Sequence, residues 1–269
     1  MSFEDWNRGM WDLPMDAIGG KNHINHIYGN IVYGFVGTVF KICFRYHVDG
    51  IENIRRFRGT GALIVANHTS FLDVAFFYLA ARWRQWPRFM ARDTLFEKGN
   101  WFSGLWISGF GGFPVTRDEA DTSAIKRAVR ILKSGEIVQI FPEGTRRNKG
   151  NIEPRLHAGA ALIARMAKVP IVPATCRNAE NIKQKGKPIR FPKVSIEYGE
   201  PLYVSDFKWV DKHDRLAACT WYAMRECFAL SYRCKPEEVD MRALFPKDKD
   251  FTELFADHPV HHTDEAEEN

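Results

Sequence analysis

The chain has 269 residues, 45% of them hydrophobic and 13% aromatic, enough apolar material for one sizeable core and no internal repeat or Pro/Gly/Ser-rich linker to divide it. Formal charge is +5, but residues 257–269 hold five acids and no Lys or Arg, so the body before them carries +10. Five cysteines without a C-x-x-C pair argue against a disulfide framework or a zinc site and for a reducing setting.

A basic body suits phosphate-bearing partners: anionic lipid headgroups, coenzyme A or nucleic acid. Charge alone does not choose, but Arg55, Arg56 and Arg58 come with no recognition motif, so nucleic-acid binding is not expected. No His/Cys/carboxylate set has ligand spacing, so no metal is expected either.

The first residues, acidic rather than basic before an apolar run, do not read as a secretory signal. Trp6, Met10, Trp11 and Met15 sit among charges, a composition that suits an amphipathic segment at headgroup depth. Residues 27–44 form an apolar stretch of eighteen residues broken by glycines, Asn30 and Lys41. A bilayer-spanning helix needs roughly 20 mostly apolar residues, so a helix lying in the interface is predicted. The competing reading packs both pieces onto the core. Residues 1–46 are thus read as a membrane-associating segment, 47–256 as one domain, and 257–269 as a disordered acidic tail with a solvated His261 and His262.

From residue 60 strand, turn and helix alternate. The apolar run 62–66 is of strand length, 67–70 a turn and cap, and 71–82 a helix. Short strands follow at 88–91 and 113–116, and the aromatic stretch 101–113 is either lipid-facing or a buried helix. Residues 121–134 place Ile125, Ala128, Val129 and Leu132 on one helical face, stopped by Gly135. A buried strand at 137–141, a helix at 156–167, strands at 171–174 and 194–198, and a helix at 216–232 complete the pattern. This alternation implies an α/β fold: one layered domain whose mixed, largely parallel sheet is flanked by helices.

Three polar clusters fall where strands end, the place chemistry gathers in open α/β sheets. In the first, Asn67-His68-Thr69-Ser70-Phe71-Leu72-Asp73, an imidazole can take a proton from an alcohol, and a carboxylate on its other nitrogen fixes the tautomer. On a straight helix five residues turn roughly 500°, leaving the two side chains about 140° apart. They meet only if Thr69 or Ser70 caps the helix, with His68 in the turn before it and Asp73 pointing back from the first turn. The spacing alone fits equally a loop histidine and an aspartate bonded to backbone amides. The second cluster, 111–117, ends in Arg117, suited to a phosphate but also to a surface ion pair. The third, 141–146, offers Glu143 to a substrate hydroxyl or to Arg146, and Gly144, Thr145 and Arg146 as amide, hydroxyl and guanidinium for an anion.

Together these clusters resemble the 1-acylglycerol-3-phosphate acyltransferase family of glycerolipid acyltransferases. The family's N-H-x-x-x-x-D is matched by Asn67, His68 and Asp73, its strand ending in arginine by 111–117, and its F-P-E-G-T-R by 141–146. An apolar-Pro block is similar to 169–173, and the resemblance covers roughly residues 48–202 in order. It implies a catalytic His68 and Asp73, and an acceptor site of Arg117, Glu143, Gly144, Thr145 and Arg146. It implies acyl transfer from acyl-CoA or acyl carrier protein, without a cofactor, to a lysophospholipid at the cytoplasmic face of a membrane. Lysophosphatidate is the first acceptor; glycerol-3-phosphate, another lysolipid or a glycolipid are alternatives, as is a non-catalytic surface-binding protein. Arg147, where the family commonly has Ser, and His157, where it often has Lys, are departures expected to tune headgroup preference. A backbone amide near the His68 turn is the candidate oxyanion stabiliser.

Overall fold

The computed structural model describes residues 9–12, 26–81, 87–97, 101–116, 121–147, 154–258 and 260. The strands are β1 (His47–Asp49), β2 (Ala62–Ala66), β3 (Pro87–Arg92), β4 (Phe113–Val115), β5 (Ile137–Ile140), β6 (Ile171–Arg177) and β7 (Ser195–Tyr198). They form one sheet in the order β1-β7-β6-β2-β5-β3-β4. Every pairing is parallel except that of β6 with β7.

β2 lies at the centre, between β5 and β6, and all five of its residues are fully buried. Its unbroken apolar run is what a strand covered on both faces requires. Leu63 and Val65 turn to one face, against α5 (Thr122–Lys133), α6 (Gly159–Ala167) and α7 (Arg215–Tyr232), while Ala62, Ile64 and Ala66 turn to the other, against α3 (Asp73–Ala81). α5 starts where Asp121 accepts from the amides of Ser123 and Ala124, a cap that contributes about 1 kcal/mol.

Departures from the sequence expectation come from long-range pairing. The strand expected to end at 174 continues to Arg177, because Cys176 and Arg177 find partners in Ile196 and Ser195 on β7. The helix expected from 71 has its first regular residue at Asp73. One turn earlier Ser70 Oγ accepts from Leu72 N at 3.3 Å and Asp73 Oδ2 from Ser70 N at 2.8 Å. The aspartate bond is the returning half of a capping box, while Ser70 Oγ takes the second amide of the turn rather than the third.

α1 (His26–Phe44) packs its C-terminal half on the α3 face, with Phe40 and Phe44 both against Phe76. Its opposite side exposes Ile31, Phe35, Val39 and Ile42, which fall within one helical arc. Among the described residues no helix is long and apolar enough to cross a membrane. The aromatic stretch contains α4 (Trp101–Gly109), with Ser108 and Phe110 buried and Trp106 partly exposed.

Two expectations at the chain ends are corrected. Trp11 does not sit apart among charges: its indole donates to Ser108 Oγ at 2.9 Å, its carbonyl accepts from Arg88, and its ring meets Phe96 edge-on. The buried Arg88 guanidinium needs acceptors more than the tryptophan needs an interface. At the other end the packed chain runs past 256: Asp257 closes a short helix, the His258 ring lies 5.0 Å from Trp209, and Val260 is buried. Trp6, Met15, His261 and His262 lie outside the described residues.

β2 and β5 are neighbours whose connections diverge. The chain leaving β2 passes to β3, on the far side of β5, by way of α3; the chain leaving β5 passes to β6, on the far side of β2, by way of α6. The two helices lie on opposite faces, so the loops after these strands part and leave a crevice at their carboxyl ends. The first and third polar clusters are those two loops.

Candidate active site

His68 is the second residue beyond β2, Asp73 the first of α3, and the capping turn between them folds the aspartate back. His68 Nδ1 lies 3.0 Å from Asp73 Oδ2, which also accepts from the amides of Thr69 and Ser70, each at 2.8 Å. Asp73 is fully buried and its Oδ1 has no partner among the described residues. An oxygen that accepts two N–H groups acts as a carboxylate acceptor, so Nδ1 carries the proton and Nε2 is left with its lone pair. The imidazole lies nearly parallel to the Phe141 ring, centroids 4.1 Å apart. Its side chain is 15% exposed, so one edge reaches solvent and the rest is held. Both readings of the H-x-x-x-x-D spacing therefore coexist: Asp73 bonds backbone amides and the histidine.

Asn67, the other side chain of this cluster, accepts from the buried Thr175 hydroxyl at 2.9 Å, tying the end of β2 to β6. Nothing in the sequence marks Thr175, one polar residue in an apolar strand, as its partner.

The loop after β5 closes over the same turn. Glu143, with a fully buried side chain, accepts from His68 N at 3.1 Å through Oε1 and pairs with Arg147 Nε at 2.6 Å through Oε2, while Arg147 N donates to His68 O at 3.0 Å. Burial pushes the Glu143 carboxyl up to about 7, against the opposing pull of Arg147 and the His68 amide. The Arg147 guanidinium lies between the rings of Phe228 and Phe245, 4.5 and 4.6 Å from their centroids. Phe228 is on α7, and Phe245 follows a short helix, α8 (Met241–Leu244).

This geometry corrects four expectations. Glu143 pairs with Arg147, not Arg146, because only Arg147 turns inward to the two aromatic rings. Arg147 accordingly faces the protein rather than a headgroup. The Gly144 amide is not offered to an anion, since it donates to Phe141 O at 3.0 Å to close the turn. The amides of His68, Thr69 and Ser70 are likewise engaged, so none of them is free for an oxyanion. What the loop leaves open are the Thr145 hydroxyl and the Arg146 guanidinium, both half-buried and without a partner among the described residues. Gly144 adopts φ +65°, where a Cβ would sit 3.2 Å from His157 Nε2. His157 is thus an exposed neighbour of the turn. Arg117 lies outside the described residues, while Phe113 at the start of its strand is buried in the core.

A family model described as Acyltransferase matches residues 45–177, a span that contains both loops. A 1-acyl-sn-glycerol-3-phosphate acyltransferase of Bacillus subtilis is 35% identical over 60% of this chain and 76% of its own length. A protein of the same name from Streptococcus pneumoniae is 35% identical over 54% of this chain and 52% of its own length. The crystal structure of the 1-acyl-sn-glycerophosphate acyltransferase PlsC from Thermotoga maritima shares the fold: TM-score 0.50 over 85% of this chain and 93% of that one, at 20% identity. The chain is an O-acyltransferase and belongs to the 1-acylglycerol-3-phosphate acyltransferase family of glycerolipid acyltransferases.

Proposed function

We propose that the protein transfers a fatty acyl group from acyl-CoA or acyl carrier protein to the sn-2 hydroxyl of 1-acylglycerol-3-phosphate, making phosphatidate. The observation that carries this is the His68–Asp73 pair, Nδ1 to Oδ2 at 3.0 Å, set in a crevice beside an uncommitted Thr145 hydroxyl and Arg146 guanidinium.

His68 Nε2 takes the proton of the acceptor hydroxyl as that oxygen attacks the thioester carbonyl. The imidazolium so formed is stabilised by the buried Asp73 carboxylate. As the tetrahedral intermediate collapses, the new O–C bond remains, the C–S bond breaks, and the imidazolium proton passes to the departing thiolate. Histidine is thereby restored without a covalent acyl-enzyme. Stacking on Phe141 and the Asp73 bond to Nδ1 hold the imidazole plane, and Glu143 fixes the His68 backbone, so orientation is set before substrate arrives. Thr145 and Arg146, with Arg117 from the sequence match, take the acceptor's phosphate. Glu143 belongs to this site as a support of the His68 turn. The chain's own residues supply the proton transfers, and no cofactor enters the proposed mechanism.

The acceptor resides in a lipid layer, and the exposed stripe Ile31, Phe35, Val39 and Ile42 on α1 supports a helix lying in the membrane interface; its placement at the cytoplasmic face is part of the same proposal. The test is acyl transfer in lipid nanodiscs, with labelled acyl-CoA or acyl carrier protein as donor. Lysophosphatidate and glycerol-3-phosphate serve as acceptors, beside His68→Ala. Conversion of lysophosphatidate that disappears in the folded variant is the expected result. Wild-type turnover in His68→Ala would sink the mechanism, and conversion of glycerol-3-phosphate alone would replace the acceptor.

A further inference from the structure

We infer that the loop 182–193, between β6 and β7, is an anionic-lipid-binding surface that joins α1 to make a two-part membrane contact. This rests on the proposed membrane reading and adds to it a second element with a different chemistry.

Lys183, Lys185, Lys187, Arg190 and Lys193 fall within eleven residues that contain no acid. All five are exposed, and none has an acidic partner among the described residues. Between them Ile189 and Phe191 are 60% and 55% exposed. Cations alternating with outward apolar side chains suit a surface that is charged above and oily below. A solvated basic loop needs the first but not the second.

The loop is also built rather than loose. Arg190 N donates to Ile182 O at 2.9 Å, Asn178 Nδ2 to Lys193 O at 2.9 Å, and Lys187 Nζ to Gln184 Oε1 at 2.9 Å. Its placement supplies the partner. The Phe191 ring lies 5.6 Å from Phe44 at the end of α1, and Arg45 Nη2 donates to Phe191 O at 2.9 Å. The C-terminal end of α1, on the helix that carries the apolar stripe, and the basic loop are therefore joined at Phe44 and Arg45. Two residues before the loop the chain touches the site, where Thr69 Oγ1 donates to Glu180 Oε2 at 3.4 Å. A bilayer touching both elements would lie beside the mouth of the crevice, where a lysolipid has to enter. An acidic protein partner would satisfy the cations but would leave Ile189, Phe191 and the α1 stripe unused.

Each cation near an anionic surface contributes about a factor of five to binding, so Lys183→Gln/Lys185→Gln/Lys187→Gln should weaken it on the order of 100-fold at low salt. The experiment is vesicle co-sedimentation of the full chain with phosphatidylcholine alone and with phosphatidylcholine plus phosphatidylglycerol, at low and high NaCl. Turnover on a detergent-dispersed acceptor serves as the check that each variant is folded. Wild type is expected to prefer the anionic vesicles at low salt and lose that preference at high salt. The triple variant should keep only the smaller preference, about 25-fold, that Arg190 and Lys193 supply, and Ile189→Ser/Phe191→Ser should weaken binding to both. A triple variant that keeps the full wild-type anionic preference overturns the loop assignment while leaving α1 as the contact. Wild type that binds neither vesicle overturns the membrane reading itself. Unchanged vesicle binding, with transfer lost from acyl carrier protein but kept from acyl-CoA, would reassign the loop to an acidic donor protein.

Discussion

Arg147→Met tests whether the arginine that departs from the family pattern supports the histidine turn from inside. The methionine fills the gap between Phe228 and Phe245 with a polarizable thioether, but it removes the 2.6 Å partner of Glu143 Oε2. Removing one member of a buried ion pair costs about 3–5 kcal/mol while the survivor stays charged. Glu143 can escape that cost by taking a proton, because burial already holds its carboxyl at about 7. The pH dependence follows from linkage. A carboxyl whose folded pKa lies above its unfolded value makes the fold lose stability as pH climbs between the two, from 4.5 to about 7 in the wild type. Without the guanidinium the folded value rises further, so the variant continues to lose stability above pH 7 where wild type has levelled off. At pH 6 the cost should be that of two lost cation–π contacts, about 0.5–2 kcal/mol each, and at pH 9 it should approach the full pair penalty. At about 2–4 °C per kcal/mol the gap in Tm should widen to on the order of 10 °C across that range. Thermal unfolding from pH 6 to 9 measures it. A gap that stays constant with pH would refute the reasoning. The same variant should lower kcat with little change in the acceptor KM, since Arg147 reaches His68 and not the crevice. A raised KM at constant kcat would instead make Arg147 a ligand of the acceptor.

Asp73→Asn keeps an oxygen for the Thr69 and Ser70 amides but places an amide nitrogen in the buried, unpartnered Oδ1 position. It should lower kcat by about 10²–10⁴ and stability by about 1–3 kcal/mol, read by steady-state kinetics and chemical denaturation; undiminished kcat would remove Asp73 from the proton chemistry. Arg146→Ala should raise the KM for lysophosphatidate about 10- to 100-fold, as loss of a charged hydrogen bond does, and leave Tm within a degree or two, because the guanidinium holds nothing in the fold; an unchanged KM would take it out of the acceptor site. Gly144→Ala forces a Cβ into the left-handed region beside His157 and should cost about 1–2 kcal/mol, with a matching loss of acceptor affinity as the 142–146 turn shifts. Wild-type stability and KM in that variant would show that the turn does not need glycine.

The parts legible in the sequence were those set by local chemistry. Short apolar runs and the 3.6-residue pattern located the strands β2 to β7 and the helices α5 and α7 within a few residues, since burial is written in consecutive side chains, whereas β1 (His47–Asp49), short and partly exposed, was not foreseen. Thr69 and Ser70 as candidate caps, with the spacing of His68 and Asp73, made a turn that folds the aspartate back one of two open readings, because a helix cap needs only a few neighbouring residues. The apolar stretch ending at Phe44 was visible, but not which of its sides the core would take. That was decided by Phe76, 32 residues after Phe44, on the helix α3 that covers the same sheet face. Arg146 and Arg147 are indistinguishable as letters. Only the tertiary structure turned Arg147 inward, by bringing Phe228 and Phe245 from the far end of the chain to the loop after β5. The crevice itself depends on strand order, which places β2 beside β5 and sends their connections apart. Composition and local pattern specify which residues are able to do chemistry; the sheet's crossovers, whose partners are distant in sequence, decide which of them meet.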